Sequence, residues 1–124
     1  MGTSATIAKV TKGRRIVFIT VHWDGYIYGC GVGNTLFKHY RTPSKVASLI
    51  ALGDLSSLGC TTATSRSYHQ RNGEDLLIHQ TPNEQELLRT RFTDYQYLYK
   101  LGKWHIHLNG EFVAITDALI QEYS

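Results

Sequence analysis

The side chains best able to do chemistry gather around one stretch, Ile16 to Gly33. An apolar strand runs there into a loop with glycines at 25, 29, 31 and 33, and His22, Trp23, Asp24, Tyr26 and Tyr28 fall at the junction. An imidazole, a carboxylate and three aromatic rings could stack on or anchor a partner. Glycine lets backbone come close to a ligand or to another chain segment. The turn is therefore expected to form one wall of any site. A second group, Lys38, His39, Arg41 and Lys45, surrounds the joint between two short helices. Cations beside free backbone N–H groups could receive an anion there, although an ordinary solvated joint has the same composition. A third cationic segment runs from Arg66 through His69 to Arg71.

Other chemistries find less support. Of the six histidines, His105 and His107 share a strand face, and His22 lies two residues from Asp24. Neither pair has a specific zinc spacing, so no metal and no cofactor is expected. Cys30 and Cys60 have no metal-type spacing and are expected to stay reduced. The sequence has no Gly-x-Ser-x-Gly, P-loop or dinucleotide fingerprint, and the glycines of 29–33 are wrongly spaced for either phosphate motif. A small nuclease or phosphodiesterase built on His22, His69 and His79 stays open, because a general base is defined by geometry. A nucleotide-like ligand fits the composition better. Eight tyrosines offer stacking faces and the cations offer phosphate contacts, though tyrosines at alternate strand positions also serve as packing.

These groups need a scaffold, and the length suits one domain spanning residues 1–124. A hydrophobic fraction of 42% can build a core, and 19% charged residues is too few for a disordered chain. Charge is uneven. Residues 1–71 hold nine Lys/Arg against two acids, and residues 72–124 hold four against eight. A basic half could meet phosphate or an acidic surface, or the two halves could attract each other. No apolar run reaches the roughly 20 residues of a membrane helix, and the N-terminus lacks a signal-peptide core, so a cytosolic location is expected.

Pattern predicts a single α+β domain: an antiparallel sheet of hairpins and a C-terminal meander, with short helices on one face. Thr6–Thr11 and Arg15–Trp23 read as a hairpin, with Ile16–Val21 central in the sheet. Asn34 can cap a helix over Thr35–Tyr40. Thr42 and Pro43 open a second helix, and Gly53 stops it. Cys60–Tyr68 reads as a strand paired with Leu76–Gln80 across a His69–Asp75 loop that contains an Asn72-Gly73 turn. Thr81 to Glu84 reads as a capping box opening a helix through Arg89. The meander is Tyr95–Leu101, Trp104–Leu108 and Phe112–Ile115, and Thr116 caps a last helix.

Several segments together resemble a set of small phage and prophage proteins. They are Ala5-Thr6-Ile7, His22-Trp23-Asp24-Gly25-Tyr26, Gly31-Val32-Gly33, Leu49 through Leu58, Arg71 through Leu76, and the aromatic meander. The resemblance covers most of the chain. Ile27 stands where those proteins usually carry proline. No catalytic residues follow from it, because the members are mostly uncharacterised. What the resemblance implies is the cytoplasm of an infected bacterial host and an anti-defence role. Such a protein grips a defence effector, as anti-CRISPR proteins do, or sequesters a nucleotide signal. The expected partner is a defence effector protein or a nucleotide or nucleic-acid ligand, with no membrane, and self-association through a sheet edge stays open. The expected contact residues are His22, Trp23, Asp24, Tyr26, Tyr28, Lys38, His39, Arg41, Arg66, His69 and Arg71.

Overall fold

The computed structural model describes residues 3–68, 78–89 and 93–124. In chain order its elements are β1 (Ala5–Val10), β2 (Ile16–Val21), α1 (Val32–His39), α2 (Pro43–Ile50), β3 (Leu55–Ser57), β4 (Arg66–Ser67), β5 (His79–Thr81), α3 (Glu84–Arg89), β6 (Tyr95–Lys100), β7 (Lys103–Leu108), β8 (Glu111–Ala114) and α4 (Asp117–Glu122). The strands form one mostly antiparallel sheet, ordered β4-β3-β2-β1-β6-β7-β8, with β5 also paired to β2. Two pairings are parallel: β1 with β6, and β2 with β3. β1 and β2 are antiparallel neighbours, with Ile7 opposite Ile19. β5 takes the first half of β2, with His79 opposite Phe18. As expected from its apolar run, β2 is internal to the sheet.

Alternation along the strands creates two apolar faces. Ile7, Ile19, Val21, Tyr97, Trp104 and Ile106 form the larger core with Leu36 of α1, with Val46, Leu49 and Ile50 of α2, and with Ile120 of α4. Ala8, Ile16 and Leu98 look the other way and pack with Leu87 of α3. The expectation of helices on a single face is therefore corrected. β1, β2 and β6 carry apolar residues on both sides, so both sides need cover.

Local signals behave as their chemistry requires where they are short-range. Thr42 accepts the Lys45 N–H with Pro43 in the first turn, and Thr116 accepts the Leu119 N–H. Gly53 has a positive φ of 75°. Three expectations change. α1 starts at Val32 with Gly31 in the cap position, so Asn34 lies inside the helix rather than capping it. Asn83, not Thr81, accepts the Glu86 N–H ahead of α3. The strand expected over Cys60–Tyr68 shrinks to Arg66–Ser67, which pairs with β3. Thr61 and Thr64 instead cap each other around a 3-10 turn over Thr62–Thr64, the local hydroxyl-to-backbone bonding that competes with sheet ladders. The expected His69–Asp75 loop and its Asn72-Gly73 turn lie outside the described residues.

His105 sits beside Leu98 on the second face. Its Nδ1–H donates to the Lys103 carbonyl at 3.1 Å. Burial lowers its pKa from the ordinary histidine value, against the opposing pull of its backbone hydrogen bonds; nearby Lys100 lowers it further and Glu84 raises it. The unfolded chain then takes up a proton before the folded one does. Stability should fall as pH drops below the unfolded histidine value of about 6.5. Chemical denaturation at a series of pH values should show that loss, and His105→Asn should flatten it.

Candidate functional site

The glycine corner is held by the chain's own hydrogen bonds. Beyond β2, the His22 and Trp23 N–H groups donate to Leu55 and Ser56 carbonyls at 3.0 and 3.1 Å, so the chain continues alongside β3. Asp24 then turns it, with a positive φ of 60°. The Gly25 N–H donates to the Thr3 carbonyl at 2.7 Å. The Asp24, Tyr26 and Tyr28 carbonyls accept from Val32, Gly33 and Gly31 respectively, which lashes the loop to the start of α1. From the core, the Tyr97 hydroxyl donates to the Gly25 carbonyl at 2.6 Å. Burial raises the Tyr97 pKa, so the phenol stays a neutral donor.

Three of the glycines are required by this packing: Gly33, where a Cβ would stand 2.8 Å from the Ile27 Cα, and the pair at 25 and 31. A Cβ on Gly25 would stand 2.5 Å from the Ser4 carbonyl oxygen, and one on Gly31 would collide with the Tyr26 carbonyl and ring. Their close approach is to the chain itself rather than to a ligand.

Aromatic side chains of the corner remain outside. Trp23 is 43% exposed and Tyr28 40%. Trp23 meets His22 edge-on at 4.7 Å between ring centroids, and Tyr26 stacks on Tyr28 at 4.8 Å. The Tyr26 hydroxyl donates to Asp24 Oδ1 at 3.2 Å.

Just past Tyr28 the surface sinks into two adjoining hollows that share His39 and Cys60. The first, about 370 Å³, runs from Gly29 and Cys30 past Asn34 and Lys38 to Gly59. The second, about 230 Å³, is lined by Ser44, Lys45 and Ser48 of α2 with Thr61 and Thr62. Tyr40 lies between helix and loop, its hydroxyl donating to the Gly59 carbonyl at 2.8 Å. Lys38, His39 and Lys45 supply positive or proton-donating groups, and among the described residues neither lining contains a carboxylate. Asn34 Nδ2 donates to the Gly29 carbonyl at 2.8 Å, while its Oδ1 is buried with no hydrogen-bond partner among the described residues.

The expected site residues thus divide. Lys38 and His39 join the Gly29–Cys30 end of the corner, with Tyr28 next in sequence to its rim. Arg41 goes elsewhere, its guanidinium lying over the Phe37 ring at 5.7 Å in a cavity of about 300 Å³ with Tyr99, Lys103, Trp104 and Asp117. Arg66 is exposed on β4, opposite Ser57. His69 and Arg71 lie outside the described residues. Lys45 stands at the expected joint; Ser44 and Ser48 were missed, although their spacing places them beside Lys45 on one face of the helix opened by Thr42-Pro43. Thr61, Thr62 and Cys60 gave no sign of lying opposite α1.

Of the histidines considered for hydrolysis, His79 is tied to Asp54. Its Nε2 lies 3.2 Å from both carboxylate oxygens, and its ring stacks on Phe18. Asp54 also accepts the Thr20 N–H at 2.9 Å. Among the described residues, no three His, Cys, Asp or Glu side chains gather as a metal site would require, and no helix is long and apolar enough to cross a membrane.

No protein-family model, no curated protein and no solved structure matches this chain.

Proposed function

We propose that this protein is a non-catalytic binding module. It captures a phosphate-bearing, nucleotide-like ligand in the double hollow beside α1, and in a phage setting it thereby blunts a bacterial defence signal. The observation that carries the reading is the lining itself: Lys38, His39 and Lys45 interleaved with hydroxyls, with no carboxylate among the described residues that line it. Charge-assisted hydrogen bonds from lysine to phosphate are the strong kind. The phage setting rests on the sequence resemblance alone.

Calorimetric titration with a nucleoside diphosphate, a cyclic dinucleotide and inorganic phosphate tests this directly. The Lys38→Ala/Lys45→Ala double variant should bind at least about tenfold more weakly than the parent, and added salt should weaken the parent. Absence of binding by every probe at millimolar concentration would overturn the reading. Release of a hydrolysed product would instead place the protein among enzymes. A second reading, direct contact with a defence effector protein, is favoured by the exposed Trp23. Exposed tryptophans are frequent anchors of protein interfaces. Trp23→Ala should abolish such contact and leave nucleotide affinity unchanged.

A further inference from the structure

Leu101 is misplaced as a turn residue. The β6–β7 hairpin closes at the Lys100–Lys103 pair through two residues, Leu101 and Gly102, both with positive φ (54° and 75°). This is the turn that favours Asn-Gly. The next hairpin of the same chain uses that pair, with Asn109 and Gly110 at φ of 51° and 89°. A left-handed leucine presses its Cβ towards the following carbonyl oxygen, and this one is also 91% exposed. Neither the turn nor the core needs leucine at this position. Strain combined with an exposed apolar tip points to a contact made by the tip.

The receptacle lies next to it. Gly102 and Lys103 line the cavity of about 300 Å³ whose apolar wall is Phe37, Tyr99 and Trp104. The same lining carries both signs of charge, Arg41 and Lys103 against Asp117. A knob beside a hole, with opposite charges at the hole, is self-complementary. A two-fold axis near Gly102 would set each knob in the other copy's hole, the arrangement of an isologous pair.

We propose that Leu101 of one copy docks into the Phe37–Tyr99–Trp104 cavity of a second copy, with Lys103 of each facing Asp117 of the other. The inference is independent of the nucleotide reading, because it uses a different cavity.

Sedimentation equilibrium over a concentration series is the test. The parent should dimerise, and Leu101→Asn should raise the dimer dissociation constant by about tenfold or more. At concentrations where both are monomeric, Leu101→Asn should melt no lower than the parent, because asparagine suits the turn. Lys103→Asp and Asp117→Lys should each fail to self-associate, and mixing the two should restore a dimer. A parent that stays monomeric at every concentration, or a dimer indifferent to Leu101→Asn, overturns the proposal. So does a monomeric parent that instead holds a foreign protein through Leu101.

Discussion

Gly31→Ala should destabilise the protein by about 3 kcal/mol, at the upper end of the overpacking range. The added methyl would meet the Tyr26 carbonyl oxygen and the Tyr26 ring together. A ring can rotate away, but the carbonyl cannot, because it accepts the Gly33 N–H. Gly31 is also fixed on its own side: its N–H donates to Tyr28, and its carbonyl accepts the Thr35 N–H at 3.1 Å and the Thr35 hydroxyl at 2.9 Å. Relief therefore requires the loop to leave α1, which takes Gly29 and Cys30 away from Asn34 and out of the first hollow. Urea denaturation should report the loss of stability, and titration with the nucleotide probes the loss of the proposed binding. A variant of parental stability would show that the corner is loosely held.

Tyr97→Phe is the second large effect, at about 2 kcal/mol. The substitution removes one oxygen and leaves the ring, so it opens almost no cavity. What it removes is the buried hydrogen bond to the Gly25 carbonyl, which then sits desolvated without a donor. The Gly25 carbonyl lies between the Asp24 turn and the stacked pair of half-buried Tyr26 and exposed Tyr28. Hydrogen exchange of the Gly25 and Val32 amides should therefore quicken by more than the global loss of stability accounts for. Equal changes throughout the sheet would mean that Tyr97 serves the core in general and not the corner.

Much of the fold was legible because its signals act over a few residues. Thr42-Pro43, Thr116, Gly53 and Asn109-Gly110 each fix one backbone conformation by side-chain bonding or by φ, and each stands where the sequence places it. The apolar run of β2 announces an internal strand. The segment after Gly59 misleads because Thr is both β-branched and a cap former. Which property wins depends on whether a neighbouring strand is available, and β2 already has β1, β3 and β5. The candidate site was half legible. Lys38 and His39 follow the corner closely enough to share its wall. Arg41 departs because Tyr40 ends α1 with φ −122° and ψ 63°, turning the chain towards the Phe37 side. Asp54 and His79 stand 25 residues apart and meet only because β5 pairs with β2. Nothing local in the sequence encodes such a meeting.

The parallel seam between β1 and β6 has a consequence for how the chain reaches this state. Ser4 and Asp94 are bonded across a sequence separation of 90 residues. During synthesis, the N-terminal hairpin must wait with one ladder of amides unpaired until Tyr95–Lys100 has left the ribosome. Such distant closure is slow, whereas the β6–β7–β8 meander can zip by itself. Nascent chains that stall before Tyr95 would carry an open edge at β1, and these are the species a chaperone would have to shield from aggregation.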